Sequence, residues 1–218
     1  HTQVSDPNGT DLMAVKNRIC PMYNVVFSDR AVDTKIMNFY YNLADVTLNI
    51  ASNEGFGISW CESLHAGTPI INNVTGGLQD GCRFEDENGN WIEFDTEFPT
   101  NHAKTYTNHA EWAIPVFPVN RSLQGSPMTP YIFDDRVDYK DVATAIWLWW
   151  RQSPESRTDK GWKGHDWVNG NESNMSAKCM SNIMASCINQ CFDSWTKRKR
   201  FTMFKIEQPK IEENVGII

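Results

Sequence analysis

An α/β fold with a doubly wound parallel sheet is what this sequence predicts, and three observations carry the prediction. Short β-branched and apolar runs alternate with helical periodicity from Tyr23 to Asn73. Two of these runs, "DVTLNI" and "PIINN", flank a glycine-bearing turn and a short helical segment. Strand, turn, helix and strand in that order make a right-handed crossover between parallel strands.

The elements follow in order. "HTQVSDPNGTDL" reads as the end of a strand running into a loop, and with no initial methionine the chain is expected to be the downstream piece of a longer protein. "YNVVFSDR", Tyr23–Arg30, predicts a parallel strand and the loop after it. "DTKIMNFYYNLA" places Ile36, Tyr40 and Leu43 at helical spacing, with Asp33 or Thr34 to cap the start. From Gly76 to about Pro130 the pattern dissolves, and residues 81–127 are expected to form an irregular insert. Within it "EWAIPVFPV" and, just beyond, "PYIF" predict short strands, the first interrupted by prolines that suit an edge or a bend. "YKDVATAIWLWWRQ" predicts a helix with Val142, Ala145, Ile146 and Trp149 on one face, its tryptophans serving packing. A last helix carries Met180, Ile183, Met184, Cys187, Ile188, Cys191, Phe192 and Trp195 as one apolar stripe of packing residues. "RFTMFKI" predicts one more strand or an extended arm. The expected organisation is a single domain over 1–218, with its core at 23–80 and 128–152 and a helical extension at 173–198.

Composition narrows the class. With 218 residues, 40% hydrophobic and 22% charged, the chain has the length and balance of an ordinary globular protein. A net charge of −7 argues against a nucleic-acid partner, because neutralising phosphates needs a basic face. The one basic cluster, Lys197–Arg200, follows the last helix, where cations complement the negative helix end. Six cysteines lack any Cys-x-x-Cys pair, so reduced and mostly buried thiols are expected, with no metal centre. Asn-x-Ser/Thr matches at Asn8, Asn73, Asn120, Asn171 and Asn174 are read as chance, since Asn73 follows a predicted buried strand. No apolar run is long enough to span a membrane, and a cytoplasmic protein is expected.

The chemistry concentrates in "NEGFGISWCESLHAGTPI", Asn53–Ile70. Glu54 lies in the turn at the carboxyl end of the first strand, where open α/β sheets bind ligands. Gly55 and Gly57 permit positive φ and close approach of a ligand to backbone. The helix beginning just beyond them aims unpaired N–H groups and its positive end at the turn, which suits an anion such as a diphosphate. A carboxylate on either side suits a ligand that also carries diols, because carboxylates accept paired hydrogen bonds from vicinal hydroxyls. Two isolated glutamates near a helix start would otherwise be surface charges, favourable by about 0.3–1 kcal/mol each. Gly67 is expected to end the helix as a left-handed cap, and Pro69 to open the next strand.

The run "ADVTLNIASNEGFGISWCESLHAGTPIINNVTGGLQD", preceded by "YYNLAD", resembles the donor-binding signature of family-four retaining glycosyltransferases. The shared pattern is strand, Glu-Gly-Phe-Gly, four residues, Glu, then Ala-Gly-Thr-Pro, strand and Gly-Gly. "PYIFDDRVDYKDVATAI" is similar to the strand, loop and helix that follow the donor site in that family. The resemblance implies a Rossmann-like domain, the carboxyl-terminal half of a two-domain glycosyltransferase fold. It implies that Glu54 is the catalytic-site residue facing the donor sugar hydroxyls, as a binding group and not a nucleophile. The Gly55, Phe56, Gly57 and Ile58 backbone would touch sugar and diphosphate, Glu62 would hold the ribose diol, and Arg30, Ala31 and Val32 would lie against the base. The family's Arg and Lys that clamp the diphosphate have no counterpart before Tyr23, where only Lys16 and Arg18 occur in another context.

The expected activity is transfer of a sugar from a nucleoside diphosphate to an acceptor hydroxyl with retention. No cofactor and no metal is expected, the nucleotide sugar being substrate. Expected partners are the donor, an acceptor and an amino-terminal domain, and a face left bare by that domain predicts a homo-oligomer. A nucleotide-sugar epimerase of the same fold and a non-catalytic nucleotide-binding module are the alternatives.

Overall fold

The computed structural model describes residues 2–5, 9–125, 128 and 131–198, and the chain forms two units, His1–Ser176 and Ala177–Ile218. The first unit opens with two helices, α1 (Leu12–Ile19) and α2 (Thr34–Leu43). Strand β1 (Thr47–Asn49), helix α3 (Ile58–His65) and strand β2 (Ile70–Asn73) then make the predicted crossover, with Thr47 opposite Ile70 and Asn49 opposite Asn72. Strand β3 (Ala113–Val116) adds in parallel on the other side of β2, giving the order β1-β2-β3. An antiparallel hairpin, β4 (Pro118–Gln124) and β5 (Ile132–Val137), leads into helices α4 (Tyr139–Trp150) and α5 (Pro154–Asn169).

The middle strand shows why the sheet is covered on both faces. Successive residues of a strand point to opposite sides, and every residue of β2 is buried. Ile70 and Val74 pack with Trp60, Leu64, Leu78, Trp112 and Trp167, whereas Ile71 packs with Val116, Val142, Ala145 and Trp149. Each such side chain withdrawn from water contributes about 1.5–3 kcal/mol. The second cluster is supplied by α4 and the first by α3 and α5, which is the doubly wound arrangement.

Several expectations change. The run Tyr23–Arg30 forms no strand. Val26 is 82% exposed, and the segment lies beside β1 without joining its ladder, since an apolar run becomes a strand only where a neighbour takes its hydrogen bonds. In α2, Asp33 provides the cap by accepting from the Ile36 amide, but the stripe Ile36, Tyr40 and Leu43 is exposed. Among the described residues of "HTQVSDPNGTDL" no strand forms, and a helix the sequence reading did not contain, α1, begins at its end with Asp11 as cap. Within the stretch read as irregular, the short strand expected from "EWAIPVFPV" does form, as β3. Its Pro115 fits because Ile70 and Val74 donate to the carbonyls of Trp112 and Val116, which leaves the intervening odd-numbered positions facing the outer edge. On α4, Val142, Ala145 and Trp149 are buried as expected, but Ile146, Trp147 and Trp150 are exposed.

In the second unit α6 (Ala177–Ser194) forms as predicted, yet Met180, Ile183, Met184, Ile188, Phe192 and Trp195 are exposed. Cys187 and Cys191 are exposed with them, so only Cys61 and Cys82 of the free thiols are buried. Burial pushes the Cys61 thiol up to about 11, so it stays protonated. "RFTMFKI" and the end of the basic cluster lie outside the described residues.

Helix α5 was not legible in the sequence pattern. Ser153 caps it by accepting from the Ser156 amide, with Pro154 at its first position. Its buried face is Gly161, Gly164, Trp167 and Val168. A Cβ on Gly161 would stand 1.9 Å from the carbonyl oxygen of Gly67, and one on Gly164 would stand 2.8 Å from Leu64. The glycines therefore let α5 lie against the end of α3. Gly161→Ala is expected to lower stability by about 1–3 kcal/mol, because the clash outweighs the gain of about 1 kcal/mol in helix propensity. Denaturant titration checks this, and an unchanged or raised midpoint would show that α5 does not pack there.

Candidate functional site

The β1–α3 turn is built by close backbone contact. The amide of Gly77 donates to the carbonyls of Glu54 (3.3 Å) and Gly55 (3.0 Å). A Cβ on Gly76 would meet the Glu54 oxygen at 1.8 Å, and one on Gly77 would meet the Gly55 oxygen at 2.5 Å. The Gly-Gly pair after β2 is thus the floor on which the Glu-Gly-Phe-Gly turn rests. Gly57 has φ +77° and starts α3, whereas Gly55 is not among the positive-φ residues. Instead, nothing lies within 4 Å of where its Cβ would be, so its backbone borders open space.

The turn is also tied to the rest of the sheet. The buried Asn73 amide donates to the carbonyls of Ala51 (2.9 Å) and Asp135 (2.7 Å). Asp135, itself buried, donates through its own N–H to Ser52 at 2.7 Å, accepts from Thr75 and pairs with Arg121 at 3.3 Å. Asn53 donates to the Phe133 carbonyl. These bonds bring the β4–β5 hairpin to the approach of Glu54, a connection that sequence reasoning missed because the partners are up to 83 residues apart.

Glu54 is half-buried, and its Oε1 accepts from the Gly55 amide at 3.1 Å. Phe56 and Ile58 are exposed. The Phe56 carbonyl accepts from the Trp60 indole at 2.7 Å. Helix α3 differs from the other four α-helices of its unit. Those are capped by Asp11, Asp33, Asp138 and Ser153, whereas Gly57 offers no side-chain acceptor to the first amides of α3. The Trp60 amide donates to the Gly57 carbonyl at 3.1 Å, which leaves the Ile58 and Ser59 amides for another acceptor.

Glu62 projects from α3 into a cleft of about 380 Å³ whose walls include Val32, Thr34, Met37, Tyr41 and His65. Val32 of the predicted base loop and Glu62 therefore share one cleft. Arg30 and Ala31 are exposed and not part of its wall, and neither are Glu54 or the Gly55–Gly57 turn. The Tyr41 hydroxyl donates to Glu62 Oε2 at 2.9 Å. Burial, then the bond to Glu62, pushes the Tyr41 phenol up, and burial holds His65 below its ordinary value. Among the described residues no group of three or more His, Cys, Asp or Glu is placed to hold a metal, and no helix is long and apolar enough to cross a membrane.

The chain matches no protein-family model and no curated protein significantly. Among solved structures it is similar to sucrose-phosphate synthase from Thermosynechococcus elongatus, with a TM-score of 0.57 and 19% identity. The match covers 88% of this chain and 37% of the synthase chain. At that identity the likeness is one of fold, and the fold shared is the Rossmann-like α/β class.

Asp80 follows the Gly-Gly floor, and burial pushes its carboxyl up to about 6 from 3.8. A folded-state value above the unfolded one means that the folded state holds the proton longer. Stability from this group is present below about pH 4 and is lost as pH rises to about 6. Asp80→Asn is therefore expected to stabilise the chain above pH 6 by on the order of 2–3 kcal/mol and to change little below pH 4. Unfolding midpoints of both chains across that range check it; a difference independent of pH would contradict it. Gly77→Ala, which intrudes on the Gly55 oxygen and Phe56, should cost about 1–3 kcal/mol in the same assay.

Proposed function

We propose that this chain is the nucleotide-sugar-binding part of a retaining glycosyltransferase. The observation that carries the reading is the uncapped start of α3 at Gly57, opening on bare backbone at Gly55 between two carboxylates. In this reading the diphosphate takes the place of the missing cap. Glu54 accepts from the sugar hydroxyls, Glu62 accepts from the ribose diol in its cleft, and Val32 borders the base. The likeness in fold to a sucrose-phosphate synthase supports the same class.

The reaction breaks the bond between the anomeric carbon and the diphosphate oxygen, and the electron pair leaves with the diphosphate. The acceptor oxygen bonds to the same face of that carbon and gives its proton to the departing diphosphate oxygen. The developing charge on the leaving group is met by the α3 amides and helix dipole, which act in the transition state. No metal or cofactor takes part in this reading. The acceptor is held by a facing domain of the complete enzyme, so the 218 residues alone are expected to bind donor without acceptor-dependent turnover.

Calorimetry with UDP, GDP and ADP at millimolar concentration tests the proposal. Binding of at least one is expected, and silence with all three would refute it. Glu62→Ala should weaken the nucleoside diphosphate by about 1.5–3 kcal/mol, whereas Glu54→Ala should act chiefly on the intact nucleotide sugar. Equal effects of both variants on both ligands would undo this division of roles.

A further inference from the structure

The Tyr41 phenol reaches from α2 to α3 and donates to Oε2 of Glu62 at 2.9 Å, in the wall of the cleft that Val32 also lines. Tyr41 is fixed from its other end as well. Its carbonyl accepts from Thr68 Oγ1 at 2.7 Å, and Thr68 is buried in the Gly67-Thr68-Pro69 turn that ends α3. The tyrosine therefore holds a constant position relative to both the start of that turn and the carboxylate one helix turn before it. Glu62 is exposed, and an exposed glutamate on a helix otherwise samples several rotamers whose freedom must be lost on binding. Its Oε1 accepts no hydrogen bond from the described residues. Burial and the Glu62 charge push the phenol up, so it remains a donor throughout the neutral range.

We infer, on the basis of the nucleotide reading above, that Tyr41 is a positioning residue that presets Glu62 to receive a ribose diol. It occupies Oε2 from the α2 side and leaves Oε1, with the second lone pair of Oε2, as acceptors for vicinal hydroxyls. Pre-setting the carboxylate lowers the ordering cost of binding, so the hydroxyl of Tyr41 acts on ribose recognition without touching the ligand. The alternative is a tether that only fastens α2 to α3, and the two differ in what they do to ribose preference.

Tyr41→Phe removes one hydroxyl while the ring and the backbone bond to Thr68 remain. The full chain is titrated with UDP, GDP and ADP and with their 2′-deoxy counterparts, and thermal unfolding is followed for each variant. The expected result is a melting temperature within a few degrees of the parent. Ribonucleotide affinity should fall about fivefold to tenfold and deoxyribonucleotide affinity less than twofold, so the preference for ribose collapses. In a Glu62→Ala background, Tyr41→Phe should have no further effect on that preference. Thr68→Val, which releases the Tyr41 carbonyl and leaves Glu62 intact, is the second variant and should move the ratio in the same direction. Equal weakening of both nucleotide types, or an unchanged ratio in both variants, would overturn the positioning role while leaving nucleotide binding in place. If the parent chain binds none of the six ligands, the nucleotide reading falls and this inference with it.

Discussion

The hydrogen bond from the Trp60 indole to the Phe56 carbonyl joins the core of the protein to the glycine turn that opens α3. Trp60 is fully buried, beneath Gly81 and beside Trp167, so its ring has no freedom to follow a moving loop. The carbonyl must come to it. Because a trans peptide is planar, fixing the Phe56 oxygen on the indole also fixes the Gly57 N–H, which points away from the Trp60 ring. One core side chain thereby sets the direction of the first amide at the mouth of α3. The aromatic cluster around Trp167, with Trp112 at 5.2 Å and Trp91 at 5.5 Å, is the anvil that makes this anchor rigid.

The same spacing device occurs twice around that anchor. At one end of α3, Gly76 and Gly77 admit the backbone of Glu54 and Gly55; at the other, Gly161 admits the carbonyl of Gly67. Both contacts place backbone against backbone, where no side chain can yield. The helix is thus gripped at its two ends, and the Asn73 and Asp135 bonds fasten the strand-end residues Ala51 and Ser52 from the side. A turn restrained in this way has little conformational freedom left to lose.

What could be read from the sequence was whatever local rules decide. β1, α3 and β2 were legible because β-branched runs, a glycine turn and a Gly-Thr-Pro stop act over a few residues each. The placement of Glu54 in the turn and of Glu62 on α3 was legible for the same reason. Helix α5 was not, because its buried face is made partly of glycine, which carries no hydrophobic signal and reads as a breaker. Tyr41 was hidden beside Tyr40, since the periodic stripe selects Tyr40 and gives no sign that its neighbour meets Glu62, 21 residues on. Tyr23–Arg30 has the composition of a strand, but composition cannot supply the ladder partner that makes one. The exposed stripe of α6 has the periodicity of a core helix, and periodicity alone does not say what covers it.

Pro115 gives the sheet a closed side. At an outward-facing position of β3 it removes the one donor in mid-strand that an incoming strand would pair with. A chain seeking to extend the sheet by edge-to-edge stacking finds a gap there, so β3 resists aggregation although its side chains are apolar. β1 has no proline and carries Leu48 partly in solvent. On that side the Tyr23–Arg30 segment lies along the strand, so the two edges of the sheet are guarded by different devices, an imino acid on β3 and an unladdered segment on β1.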